Sequence, residues 1–196
     1  MKAPFRYYDF EKDISGCGVF GVINTKRELI PGDMPIKAMC TMHDRGNGLG
    51  GGFAAYGIYP EMADKYAFHI MSSTRDGIKA AEKLLEAFFD VHESEPIPTR
   101  RVAVIKNPPH VMRYFITPKQ GQDRPEWRES DEKDYVVRVI MHINKKGDAF
   151  VFSSGKNMGA FKGVGFPEDI ADFFCLEDYK AYIWTGHNRF PTNTPG

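Results

Sequence analysis

The sequence predicts an α+β fold, or a layered αββα one, from the order of its hydrophobic segments. Short runs rich in aliphatic and aromatic residues, typical of strands, are mixed irregularly with segments of helical spacing. No internal repeat stands out, and the order lacks the regular βαβ alternation of a parallel sheet. The length of 196 residues and the hydrophobic content of 42% suit one globular domain.

The first half of the chain predicts two helices among three strands. A strand at 17–23 is bounded by Gly16 and Asn24, and strands at 51–59 and 66–73 could pair with each other. Asp33 is a candidate cap for a helix with helical spacing as far as His43. The second helix, at 76–91, has one apolar stripe formed by Ile78, Ala81, Leu85, Phe88 and Phe89.

The second half predicts mostly strands. We expect them near 101–106, 111–117, 135–144, 149–153 and 181–184, with a hairpin turn at 145–148 and a mobile charged loop at 119–134. Pro167 followed by two acidic residues predicts the start of a short helix. Residues 93–150 could form an insertion.

Charge balance and hydropathy argue against two classes of partner. Lysine and arginine total 26, as do aspartate and glutamate, so no basic field attracts nucleic acid or anionic lipid. No apolar run approaches the ~18 residues of a membrane-spanning helix, and residues 1–16 lack an apolar signal core. We therefore expect a cytoplasmic protein that binds neither nucleic acid nor membrane.

The three cysteines, Cys17, Cys40 and Cys175, include no Cys-x-x-Cys pair. This argues against a disulfide framework, a zinc site or an iron-sulfur cluster, so we expect no metal or cofactor in this chain. Cys40 and Cys175 lie on apolar helical faces and are expected in the core. The glycines at 46, 48 and 51 match a dinucleotide fingerprint, but they follow a predicted helix and precede a strand, which is the reverse of the required order.

Three segments carry a resemblance to a known family. Residues 16–22 read Gly-Cys-Gly-Val-Phe-Gly-Val, and residues 186–194 read Gly-His-Asn-Arg-Phe-Pro-Thr-Asn-Thr. They resemble class II glutamine amidotransferases, in which a Cys-Gly-(Ile/Val)-Phe-Gly-Ile strand starts the mature chain and a His-x-Arg-(aromatic)-x-Thr segment binds glutamine. The Arg-Phe-x-Thr-Asn-Thr spelling is closest to glutamate synthase. His43-Asp44-Arg45-Gly46 looks like the His-Arg-Gly turn of this superfamily, with Asp44 inserted.

The resemblance implies an N-terminal-nucleophile hydrolase fold with Cys17 as the catalytic nucleophile. Residues 1–16 would then be a propeptide-like leader, removed at the Gly16–Cys17 bond, and 17–196 would be the N-terminal part of the amidotransferase domain. A thiol and an α-amine have reference pKa values of about 8.5 and about 7.7–8.0, so an amine on the same residue can take the thiol proton. Taken alone, a cysteine opening a strand is more often an ordinary core residue.

The resemblance also implies the substrate-binding residues. Arg189 would hold the α-carboxylate of glutamine, because a planar guanidinium matches a carboxylate with two parallel hydrogen bonds. An isolated arginine would more often form a surface ion pair. Thr192 and Asn193 would line the same pocket, and Arg45, Gly46 and His187 would lie in the site.

The implied reaction converts glutamine to glutamate and ammonia through a thioester on Cys17. Relatives carry an Asn-Gly oxyanion pair and an amine-binding aspartate further downstream, so we expect the 196 residues alone to be poorly active. The chain would then be a fragment, or a subunit completed by a second chain. In glutamate synthases the flavin (FMN) and the iron-sulfur cluster are expected on partner domains or subunits. Two alternatives remain: an amidotransferase of another synthase, making glucosamine-phosphate, phosphoribosylamine or asparagine, and a noncatalytic module that senses glutamine or scaffolds a synthase.

Overall fold

The computed structural model describes residues 17–119 and 129–189, with side chains in the second range from residue 131 onward. Its strands are β1 (Gly18–Ile23), β2 (Ile30–Pro31), β3 (Gly51–Tyr56), β4 (Tyr66–Ser72), β5 (Phe89–Pro96), β6 (His110–Pro118), β7 (Phe150–Ser153), β8 (Met158–Gly163), β9 (Lys180–Ala181) and β10 (Ile183–Asn188). Its helices are α1 (Asp33–Cys40), α2 (Arg75–Phe88), α3 (Glu129–Lys146) and α4 (Pro167–Phe173). The leader at 1–16 and the candidate residues Thr192 and Asn193 lie outside the described ranges.

The first sheet is antiparallel, with strand order β1-β10-β3-β8. Along β10 the buried residues Trp184, Gly186 and Asn188 alternate with the more exposed Ile183, Thr185 and His187, as expected for a strand with one covered face. Helices α1 and α4 cover that face. Its core contains the fully buried side chains Met39, Phe161, Ile170 and Trp184.

The chain leaves this sheet after β3 and returns at β8, the neighbour of β3. Between them, β4, α2, β5, β6, α3 and β7 form a βαββαβ unit whose antiparallel sheet has the order β5-β6-β4-β7. This is the split βαβ arrangement of ferredoxin-like folds. The insertion proposed at 93–150 lies within this unit, which starts at β4.

Helices α2 and α3 close one face of the inserted sheet. Ile78, Ala81 and Leu85 of α2 are buried in the same cluster as Val136 and Ile143 of α3. The Thr74 hydroxyl accepts a hydrogen bond from the Gly77 N–H at 3.0 Å and caps α2. The inserted unit therefore has a core of its own.

A buried polar network joins the two sheets. The His69 Nδ1–H donates to the Ala160 carbonyl at 3.0 Å, which leaves Nε2 to accept from the Tyr59 hydroxyl at 2.8 Å. Arg113 donates to the Tyr59 oxygen at 3.1 Å and to Glu95 at 2.9 Å. Burial lowers the pKa of His69 to about 3, so this imidazole is neutral near pH 7. His69 is therefore a structural residue.

The structure confirms the α+β class and corrects several expected elements. The strand expected at 135–144 and the hairpin at 145–148 were wrong, because Val136, Val139 and Ile143 form the buried stripe of α3. Gly147, with φ +80°, ends that helix. Residues 129–134 of the expected loop are helical as well.

Other corrections concern where elements end and how strands pair. The segment at 101–106 forms no strand, whereas Phe89–Pro96, partly expected as helix, forms β5. The strands β3 and β4 lie in different sheets and do not pair. Helix α1 ends at Cys40 and is followed by a short 3₁₀ turn, His43–Arg45. Strand β8 was missed.

Candidate functional site

The strand register brings the two ends of the sequence together. Strands β1 and β10 are antiparallel neighbours with Gly18 opposite Asn188. Cys17, which precedes β1, and Arg189, which follows β10, therefore emerge at the same end of the first sheet. Cys17 is exposed, so the reading of this residue as an ordinary core cysteine does not hold.

Arg189 is fixed by its backbone and lines a cavity. Its N–H donates to the Gly50 carbonyl at 2.8 Å, and its exposed side chain borders a concavity of about 630 Å³. The cavity is also lined by Val19, by the 49–54 segment, and by Thr185 and His187 of β10. The outward-facing residues of β1 and β10 thus line the same cavity as Arg189.

The turn at 43–46 packs against the start of β1. A β-carbon at Gly18 would lie 3.1 Å from Met42 Cβ and 3.4 Å from Arg45 Cβ, so Gly18 is in contact with the residues that form the turn. Arg45 therefore lies beside the Cys17–Gly18 peptide. A β-carbon at Gly46 would lie only 1.9 Å from the Asn188 side-chain oxygen, which excludes any larger residue there without rearrangement.

Helix α4 holds the same turn from its other side. The His43 ring forms a short hydrogen bond through Nδ1 to the Glu168 carboxylate and stacks on Phe166, with ring centroids 4.0 Å apart. Glu168 lies in the first turn of α4, where a negative charge is favoured by the helix dipole. His43 thus anchors the turn.

The glycine-rich run after the turn serves close packing of strands. Gly50 has φ +151°, and a β-carbon at Gly52 would lie 2.3 Å from the Phe161 carbonyl. These glycines lead into β3 and not into a helix N-terminus, so they lack the geometry of a dinucleotide-binding loop.

The cavity has a one-sided charge. Among the described residues its lining contains Lys162, His187 and Arg189 but no aspartate or glutamate. Such a lining suits a carboxylate or another anionic group. The described part of the lining offers no carboxylate to an ammonium group.

The structure thus brings Cys17, Arg45, Gly46, His187 and Arg189 to one end of the first sheet, although they are up to 172 positions apart in the sequence. Cys40 was expected in the core and is exposed, because it is the last residue of α1, whereas Cys175 is buried as expected. Burial of the partly covered thiol, followed by the charge of Glu168, raises the pKa of Cys40.

Sequence reasoning missed Asn188, which is fully buried and bonded to the turn at 43–46. The clue was available, since extending the predicted strand at 181–184 through residue 188 places Asn188 on the buried face with Trp184. Within the described ranges, no group of three or more His, Cys, Asp or Glu side chains is arranged to hold a metal ion. No helix of those ranges has both the length and the apolarity needed to cross a bilayer.

Comparison with known proteins gives one relative without an assigned role. No family model matches the chain. An uncharacterized protein of Archaeoglobus fulgidus is 53% identical over 190 residues, which cover 95% of this chain and 50% of the relative. The chain therefore spans about half the length of that relative.

Proposed function

We propose that this chain carries the nucleophile-bearing part of a class II glutamine amidotransferase domain of the glutamate-synthase type, with the layered fold of N-terminal-nucleophile hydrolases. It hydrolyses glutamine to glutamate and ammonia through a thioester on Cys17, and the ammonia supports glutamate synthesis. The supporting observation is that three separate motif segments, at 17–18, 43–46 and 187–189, lie at one end of one sheet, where His187 and Arg189 line a cavity.

The chemistry follows from the position of Cys17 next to β1. Removal of residues 1–16 would leave an α-amine on Cys17, which accepts the thiol proton as sulfur attacks the side-chain carbonyl carbon of glutamine. The tetrahedral intermediate collapses, the C–N bond breaks, and the amine returns the proton to the leaving ammonia. Water then cleaves the thioester and releases glutamate.

Arg189 supplies recognition in this proposal. Its backbone is held by Gly50 and its side chain borders the cavity, so the guanidinium can bind the α-carboxylate of glutamine while the side-chain amide extends toward Cys17. His187 lines the cavity, Arg45 lies beside the Cys17–Gly18 peptide, and Gly46 allows the turn to pack closely. Thr192 and Asn193 come three and four positions after Arg189, and by the family resemblance they belong to the same proposed pocket.

A partner polypeptide is part of the proposal. Two outward-facing rows of the first sheet consist of Gly21, Thr185, Ala54 and Ala160, and of Ile23, Ile183, Tyr56 and Met158. They contain no charged residue, and Val19 and Ile23 are 67% and 60% exposed, whereas a solvated sheet face is normally polar. We assign this outer face to polypeptide equivalent to the unmatched half of the archaeal relative, which would also supply the acidic partner for the glutamine amine.

Hydroxyl-radical footprinting of the native assembly tests this assignment. Val19 should be protected relative to Val137, which has similar exposure on α3 and lies in the inserted unit. Equal oxidation of the two valines would contradict the docked layer. FMN and an iron-sulfur cluster would reside on other domains or subunits of the synthase.

Covalent labelling tests the catalytic proposal. The native, processed protein is incubated with an electrophilic diazoketone analogue of glutamine, and the adduct is located by peptide mass. We expect one adduct on Cys17, lost in Cys17→Ser and retained in Cys40→Ser, whose thiol is also exposed. Glutamine should protect against labelling. Intact mass of the active protein tests processing, and an active protein that retains residues 1–16 would contradict the amine mechanism.

The same experiment separates the alternatives. A noncatalytic glutamine sensor would bind glutamine but form no adduct on Cys17. An amidotransferase of another synthase would form the adduct, and the product made from ammonia and the acceptor would then identify the synthase.

A further inference from the structure

Asn188 bonds β10 to the turn at 43–46. Its side chain is fully buried, and Nδ2 donates to the Met42 carbonyl at 3.0 Å and to the His43 carbonyl at 3.3 Å. The opposite orientation of the amide would direct an oxygen at two carbonyl oxygens, so the hydrogen-bond pattern fixes which atom is nitrogen. The Asn188 side chain thus connects β10 to the turn at 43–46.

The two carbonyls that Asn188 contacts are those that close the turn. The Met42 carbonyl accepts the Arg45 N–H at 2.9 Å, and the His43 carbonyl accepts the Gly46 N–H at 3.0 Å. Asn188 therefore occupies the second acceptor site of each oxygen and fixes the peptides that carry Arg45 and Gly46. The side-chain oxygen of Asn188 lies against Gly46, where no β-carbon intervenes.

The neighbours of Asn188 project to the other side of the sheet. His187 is exposed, and the side chain of Arg189 borders the cavity, whereas Asn188 points into the covered face. Because successive residues of a strand alternate between faces, one strand end directs Arg189 at the cavity and Asn188 at the turn. A shift of the turn relative to β10 would move Arg45 and Gly46 relative to the strand end that carries Arg189.

We propose that Asn188 is a positioning residue that locks the turn at 43–46 onto the end of β10, and so fixes Arg45 and Gly46 relative to Arg189. This inference rests on the proposed function, since it concerns the binding of a glutamine-like ligand. Asn188 itself need not touch the ligand. Its loss should weaken ligand binding more than it slows the attack by Cys17.

The test uses the native, processed protein and the kinetics of Cys17 labelling by the diazoketone analogue. Asn188→Leu removes the donor at similar volume, and Asn188→Asp keeps the shape but has no donor when ionised. Asn144→Leu is the matched control, because Asn144 also makes two side-chain bonds to backbone, both to Val151 in the inserted unit. Hydrogen exchange of the 41–47 segment is measured on the same variants.

We expect both Asn188 variants to raise the analogue concentration for half-maximal labelling about tenfold or more, with the saturated labelling rate changed less than about threefold. Exchange in the 41–47 segment should rise in both and stay unchanged in Asn144→Leu. Wild-type labelling constants in the Asn188 variants, or an equal shift in Asn144→Leu, would overturn the proposal. If wild-type protein is not labelled, the proposed function fails, and exchange alone decides whether Asn188 locks the turn.

Discussion

The first sheet and the inserted βαββαβ unit are built from similar strands but differ in how their faces are covered. The inserted unit covers one face of its sheet with α2 and α3, and the other contributes to the joint core through Ala67, Phe115 and Phe152. The first sheet is covered on one face and exposes small and apolar residues on the other, beside the cavity. His69 and Arg113 of the inserted unit are buried in a hydrogen-bonded network, whereas Cys17 and Arg189 of the candidate site are exposed.

This difference indicates that the residues that stabilise the fold and the residues of the candidate site lie in different parts of the chain. Closed packing with a satisfied network, as around His69, stabilises a fold and leaves no reactive group accessible. An accessible thiol and guanidinium at a strand end contribute little to folding but can meet a ligand. Substitutions matched between the two regions therefore test whether stability and ligand binding depend on different residues.

The largest expected effects come from replacing one arginine with lysine in each region. Arg113→Lys removes donors that bind Tyr59 and Glu95, and because Arg113 is nearly buried we expect unfolding free energy to fall by about 2–3 kcal/mol, without change in analogue binding. Arg189→Lys should leave urea unfolding almost unchanged and weaken analogue binding about tenfold or more. Unfolding curves and labelling kinetics measure both. If Arg189→Lys lowered stability without weakening analogue binding, Arg189 would not belong to the proposed site.

A smaller effect should come from pH acting on the inserted unit. The folded pKa of His69 is about 3, and the unfolded value is about 6.5, so the unfolded chain binds more protons between these values and unfolding free energy rises with pH there. The stability is complete above about pH 6.5 and is lost as pH falls toward 3. From pH 7 to 5 the loss should be about 2 kcal/mol.

Urea unfolding of His69→Gln across this pH range provides the check. The variant should show a flatter pH dependence than wild type, while the exposed control His92→Gln should keep the wild-type slope. An unchanged slope in His69→Gln would show that other groups dominate the acid response. The site should not respond to His69→Gln beyond the change in stability.

The smallest expected effect on stability comes from replacing one glycine with alanine in each region. Gly147 has φ +80° at the end of α3, so Gly147→Ala should cost about 1 kcal/mol of strain even though open space surrounds it. Gly21 lies in β1 on the outer face with no atom within 4 Å of a β-carbon, so Gly21→Ala should be neutral or stabilise by up to about 1 kcal/mol. Thermal unfolding of the 196-residue chain without its partner polypeptide measures both, and destabilisation by Gly21→Ala there would contradict the open space above Gly21 within this chain.

The sequence predicted elements best where local chemistry was unambiguous. The apolar stripe of α2, the Pro167 start of α4 and the strand after Cys17 are all confirmed within one or two residues at their starts. Residues 135–144 failed because Tyr135, Val136, Val137, Val139, Ile140, Met141 and Ile143 have strand propensity and helical spacing at once. Packing against α2 and β7 favours the helix.

Local sequence identifies the candidates for the proposed chemistry: a cysteine between glycines, an arginine two positions after a histidine, and a glycine after the turn at 43–45. The tertiary structure brings these residues to one end of a sheet, because antiparallel pairing of β1 with β10 depends on contacts 170 positions apart, as between Gly18 and Asn188. It also decided that Asn188 is buried and bonds the turn. Local sequence gives the side chains and the periodicity of their hydrophobic pattern. Strand register depends on the core that the paired strands bury together.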